Sequence, residues 1–296
     1  MPRLDAPFAR LAAHRGILPE GLVWDSQRGR LSWVDIELGT LHVADVTDDH
    51  VRPLTVLDLG DQLGCALPSE DGGWICGLGR SLARVSPMGV IERSAPILRD
   101  GERFNDGHID PKGRLVIGSL RTAGPDGRQV IVRLESDGAL TLLDDALGIS
   151  NGIGWSPDGA VMYNADTAAR TITTRCYGDR VGRPTTLIEV GGMPDGIAVD
   201  SSGRIWVTVF DQGRVDCYSP DGGLLPAESI VVPDAHVASV AFGGGLMFIA
   251  TGMPIMANWL RLRRPGDGFI LYQPTGVSQA TLRAWTPTPL PSHLER

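Results

Sequence analysis

The sequence is short of charge, and of basic charge in particular. Charged residues make up 21% of the chain, and acids outnumber bases to leave a formal net charge of −8. With 42% apolar residues a folded core is expected rather than disorder. The basic footprint of a nucleic-acid-binding protein is absent. No apolar run approaches the roughly 18 residues of a membrane-spanning helix. The opening residues, Met1-Pro2-Arg3-Leu4-Asp5, lack the continuous apolar segment of a secretory signal. A cytoplasmic protein with neither nucleic acid nor membrane as partner is expected. Cys65, Cys76, Cys176 and Cys217 form no CxxC pair and no zinc-finger spacing. Cys65, Cys76 and Cys217 fall in apolar strand-like runs and read as buried thiols. Neither Ser150 nor Ser239 sits in a G-x-S-x-G elbow, which argues against a serine nucleophile.

Turn formers are abundant: 38 Gly and 21 Pro, about one residue in five, suit many short strands joined by tight turns. One phrase recurs six times, as Gly, apolar strand, polar turn with Asp and Gly, second apolar strand. The copies begin at Gly21, Gly64, Gly107, Gly152 and Gly196, with a sixth at Ser239 that lacks the leading Gly. Successive starts are 43, 43, 45, 44 and 43 residues apart. In the fourth copy Ile153-Gly154-Trp155 and Val161-Met162-Tyr163 flank Ser156-Pro157-Asp158-Gly159, a strand–turn–strand pattern. Further strand-like stretches lie between the hairpins, so each period holds about four strands, the content of one propeller blade. The reading is all-β: a six-bladed β-propeller with four-stranded blades around a central channel, a single domain over residues 1–296. Closing the ring calls for a strand from the first 18 residues, placed at Phe8 to Leu11. Trp24, Trp33, Trp155 and Trp206 read as packing between blades.

Repetition also places residues. The residue before each copy stands at the entrance to an equivalent strand; in order these are Glu20, Leu63, Asp106, Asn151, Asp195 and Ala238. If those strands are innermost, four oxygen-bearing side chains ring one end of the channel. Gathered carboxylates repel and are costly to desolvate unless a positive charge sits between them. Glu, Asp and Asn oxygens are the ligand set of a hard divalent cation: Ca²⁺ or Mg²⁺ first, then Mn²⁺, with Zn²⁺ more often on His or Cys.

Several segments carry a family resemblance. Pro19-Glu20-Gly21-Leu22-Val23-Trp24 followed by Trp33-Val34-Asp35-Ile36, Arg103-Phe104-Asn105-Asp106-Gly107, Ser150-Asn151-Gly152-Ile153-Gly154-Trp155-Ser156, Pro194-Asp195-Gly196 and Val240-Ala241-Phe242-Gly243-Gly244 resemble, in order, the motifs of the SMP-30/gluconolactonase family of regucalcin-like sugar lactonases. The resemblance implies a six-bladed propeller with one divalent metal in its channel and hydrolysis of a small-molecule lactone. It implies metal ligation by Glu20, Asn151 and Asp195, and substrate contacts from Arg103 and Asn105; Asp106 is not among the family's ligands. Asp195 is expected as general base toward water, the metal polarising the lactone carbonyl. Two positions depart from the pattern. Leu22 stands where the family has Pro, and Arg121-Thr122-Ala123 offers no acid where some members bind sugar hydroxyls, which points away from a simple aldonolactone. Two other readings stay open: a divalent-metal esterase or phosphotriesterase on the same fold, and a non-catalytic calcium-binding propeller. His108 is open between a proton shuttle and a hydrogen-bonded structural residue, and Arg121 between a reader of substrate anions and a solvated charge. The run Arg261, Arg263, Arg264 reads as a solvated edge.

Overall fold

The structure is a computed structural model that describes residues 7–11, 16–47, 50–252 and 268–294. The run Arg261, Arg263, Arg264 lies outside the described residues. All the regular structure described is β: 24 strands in six four-stranded antiparallel sheets, the blades of a six-bladed propeller. Among the described residues no helix is long and apolar enough to cross a membrane. Blades I to VI place innermost the strands Pro19–Asp25, Leu63–Pro68, Glu102–Ile109, Ser150–Trp155, Pro194–Val199 and Val237–Gly243. These are the strands that open the six sequence copies.

Each hairpin turn follows from its residues. In blade IV, Gly159 takes φ +71° and donates its N–H to Ser156 O at 2.8 Å, while Asp158 Oδ1 accepts from Ala160 N at 3.1 Å. Inner strands are buried along almost their whole length, and outer ones alternate or face water, as in His50–Asp58. The core therefore lies between blades. Trp33 and Trp206 are fully buried, and Trp24 lies against Gly243, where a Cβ would stand 2.1 Å from the indole.

The ring closes as the repeat requires. Ala9 and Arg10 pair with Tyr272 and Leu271, making the N-terminal strand the outermost of blade VI. A second tie was not legible in the repeat. The stretch after the last strand, Phe269–Pro274, runs beneath the end of the propeller where the inner strands finish. Ala280 N donates to Val199 O at 2.9 Å, Trp285 N to Pro68 O at 2.8 Å and Thr286 N to Gly113 O at 2.9 Å. Trp285 is inserted into the core of blades II and III with Leu67, Ile75 and Leu115.

Candidate functional site

The channel mouth where the inner strands begin is built on an irregularity. Each inner strand breaks register with its neighbour at the same place: between Glu20 and Val23, Leu63 and Cys65, Phe104 and Gly107, Ser150 and Ile153, Pro194 and Ile197, Val237 and Ser239. The residues passed over by the ladders include Asn105, Asp106, Asn151 and Asp195. A bulge frees a residue from pairing and re-aims its side chain, so the bulges of blades III, IV and V turn these positions toward the mouth together, while Glu20 stays paired with Val34 just before the bulge of blade I. The Gly of the fourth and fifth copies makes room for this. A Cβ on Gly152 would stand 2.4 Å from Ile197 N, and one on Gly196 2.8 Å from Ala238 O, so adjacent inner strands touch backbone to backbone there.

Glu20, Asn151 and Asp195 are each more than nine-tenths buried, as are Arg103 and Asn105, and Asp106 is half-buried. Burial, and then the charge of Asp106, push the Glu20 carboxyl up to about 8; the N–H of Gly21 and the Arg103 guanidinium pull it back only in part. Asp195 is held well above the carboxylate range by burial first, then by Glu20 and Asp106. Burial pushes Asp106 up to about 6. The Glu20 and Asp195 carboxyls abut, a contact that is a hydrogen bond only when one of them holds a proton. Asp195 Oδ1 is buried without a hydrogen-bond partner.

Three of the sequence-selected side chains form a hydrogen-bonded line. Arg103 Nη1 donates to Asn105 Oδ1 at 2.7 Å, and Asn105 Nδ2 to Ser150 O at 2.9 Å and to Asn151 Oδ1 at 3.3 Å. All five selected site residues, with Asp106, thus sit at one mouth. The two remaining ring positions, Leu63 and Ala238, are fully buried in an apolar cluster with Leu18 and Phe210, against which Met193 packs. Leu18, Phe210 and Met193 of that cluster, and Thr167 beside Asn151, lie outside the six repeat positions and carry no signal in the sequence. Among the described residues, no three His, Cys, Asp or Glu side chains are grouped as a metal site. The expected third ligand is an amide, Asn151.

The other candidates have the following surroundings. His108 Nδ1 lies 3.1 Å from Ile109 O and its ring meets Trp155 edge-on at 5.5 Å, with Trp155 at the far end of the inner strand. Ser239 Oγ accepts from Leu22 N at 3.1 Å. Arg121 ends the second strand of blade III, its side chain 43% exposed and its Nε 3.9 Å from Asp126 Oδ2. Cys65, Cys76 and Cys217 are buried free thiols, and Cys176 is exposed.

Known proteins resemble this chain in sequence and in fold. The chain is 36% identical to a pentonolactonase of Haloferax volcanii, over 77% of this chain and 78% of that protein. It is 36% identical to a 6-deoxy-6-sulfogluconolactonase of Pseudomonas putida, over 77% and 80%. Among solved structures, a calcium-binding protein, regucalcin, from Agrobacterium tumefaciens superposes with a TM-score of 0.79 over 96% of this chain and 98% of that one; at 24% identity the likeness is one of fold. Residues 18–252 match the SMP-30/gluconolactonase/LRE-like region, and the chain belongs to that family.

Proposed function

We propose that the protein is a lactonase that opens a sugar-derived lactone at the channel mouth with the help of one divalent cation. The observation that carries the reading is the contact of the buried Glu20 and Asp195 carboxyls within reach of the Asp106 charge, with Asp195 Oδ1 unpartnered. Such a set is stable only protonated or around a positive charge. Two carboxylates and an amide oxygen, from Glu20, Asp195 and Asn151, are the donors a hard cation takes. These three would hold it, with Ca²⁺ the first expectation. The two relatives named lactonases support the activity, and the name of the regucalcin neighbour supports the cation.

When bound, a divalent cation compensates the carboxylates and favours the negative charge that develops on the lactone carbonyl oxygen. Arg103 and Asn105 would bind the substrate's oxygens, since the guanidinium only donates and Asn105 offers both a donor and an acceptor. Asp195 would take a proton from a water as the water oxygen bonds to the carbonyl carbon. The ring C–O bond then breaks, and the proton passes to the departing ring oxygen, leaving a hydroxy acid. Leu63, Ala238 and Phe210 would exclude bulk water from one side of the mouth.

The test is hydrolysis of an aldonolactone panel by chelator-stripped protein, with Ca²⁺, Mg²⁺, Mn²⁺ or Zn²⁺ added back. Stripping should abolish turnover and a divalent ion restore it. Asp195→Ala should lower the rate by about 10² to 10⁴ without unfolding the protein. Full activity in excess chelator overturns the cation's role; cation binding with no turnover on any lactone or ester leaves a binding protein.

A further inference from the structure

The Asn151 amide is gripped at both ends. Its Nδ2 donates to Thr167 Oγ1 at 3.1 Å, and its Oδ1 accepts from Asn105 Nδ2 at 3.3 Å. The Thr167 hydroxyl in turn donates to Pro194 O at 2.7 Å, the carbonyl next to Asp195. A backbone carbonyl only accepts, and a hydroxyl has a single proton, so Thr167 presents only lone pairs to Asn151. Whatever faces it must be a donor. The oxygen and nitrogen ends of an asparagine side chain have nearly the same size, so packing alone does not choose between them. Here the choice is made by hydrogen bonds, to the Thr167 hydroxyl and to the Asp195 carboxylate, both of which take an N–H from Asn151. At the other end the logic repeats: Arg103 Nη1 can only donate, so Asn105 turns its oxygen to Arg103 and its nitrogen to Ser150 O and Asn151 Oδ1.

We propose that Thr167 is a positioning residue of the centre, whose hydroxyl keeps Asn151 Oδ1 rather than Nδ2 available to the cation and ties that amide to the strand bearing Asp195. The inference rests on the cation reading above and extends it to a residue outside the ligand set. An inverted amide would point two N–H groups at a positive charge. Thr167 is well suited to this because its side chain is not needed for its own turn. The neighbouring Asp166 carboxylate holds that turn, accepting from Gly148 N at 2.9 Å, Ile149 N at 3.2 Å, Ala168 N at 3.0 Å and Ala169 N at 3.2 Å.

The experiment is calorimetric titration of Ca²⁺ and Mn²⁺ into chelator-stripped wild type, Thr167→Val, Thr167→Ser, Asn151→Asp and the Thr167→Val/Asn151→Asp double variant, with the unfolding temperature of each cation-free protein. Thr167→Val should weaken affinity about 10- to 100-fold while its cation-free unfolding temperature stays within about 2 °C of wild type. Thr167→Ser should restore affinity to within about 3-fold, a hydroxyl being all that is required. In the Asn151→Asp background both ends of the side chain are oxygens, so Thr167→Val should cause no further loss. Wild-type affinity in Thr167→Val, an equal loss in both backgrounds, or a loss matched by a fall in cation-free stability overturns the assignment. Failure of the wild type itself to take up either ion defeats the centre as a whole and is read in a separate arm.

Discussion

Leu22 N donates to Ser239 Oγ at 3.1 Å, a bond between residues 217 positions apart. It joins the inner strands of blades I and VI, where the first and last copies of the repeat meet. The sixth copy is the one that lacks the leading Gly, and its Ser uses the space for a hydrogen bond across the seam. Ser239→Ala should cost about 1 kcal/mol and leave lactone hydrolysis within a few-fold of wild type. Urea unfolding and a rate assay check both; a loss of about 10³ in rate or more would reinstate Ser239 in the chemistry.

Removing one of the crowded carboxylates should separate function from stability. Glu20→Gln keeps the shape and removes a carboxyl whose ionisation Asp106 opposes and which in turn raises Asp195. The cation-free variant is expected to unfold at the wild-type temperature or about 2 °C above it, yet to show no rise on adding a divalent ion. Differential scanning calorimetry with and without Ca²⁺ reads both. A cation-dependent rise equal to that of wild type would remove Glu20 from the ligand set.

His42 stacks on Trp33, ring centroids 5.2 Å apart and planes within 10°. Burial lowers its pKa to about 4 from about 6.5. The folded protein therefore favours the neutral ring, while the unfolded chain takes up its proton near 6.5. The associated stability is complete above that value and is lost as pH falls from about 6.5 to about 4. The full gap corresponds to about 3 kcal/mol, and partial solvent exposure reduces it to about 1–2 kcal/mol. His42→Gln should flatten the fall in unfolding free energy between pH 7 and pH 4.5 by that amount, measured by urea denaturation. An unchanged pH profile would dismiss His42 as the source.

Trp285 is 1% exposed and fills the core between blades II and III. Trp285→Ala should cost about 3–5 kcal/mol, while the cation affinity of folded protein at low temperature stays within about 2-fold, because the residue packs at the far end of the propeller from Glu20 and Asp195. Chemical denaturation and calorimetry make the comparison; a stability change under about 1 kcal/mol would show that the segment does not staple the blades.

Much of this protein is written locally and then repeated. The spacing of about 44 residues, the Asp-Gly turns and the short β-branched strands determine six blades, because each hairpin is specified by neighbours in sequence and repetition forces a ring. The same arithmetic determines that Glu20, Asp106, Asn151 and Asp195 share one mouth, and that an N-terminal strand completes blade VI. The family match then follows from segments that can be read without coordinates. Three things were decided only by the tertiary structure. The aligned bulges depend on how closely adjacent inner strands approach, which the contacts at Gly152 and Gly196 set between blades rather than within them. The orientation of Asn151 depends on Thr167 and Pro194, one strand and one blade away. The insertion of Trp285 beside Leu67 and Leu115 joins segments more than 150 residues apart with no periodic signal. Local pattern determines which strands form and which of their residues share an end; the packing of one blade on the next decides which side-chain atoms meet there, because those contacts are made between residues that the sequence keeps far apart.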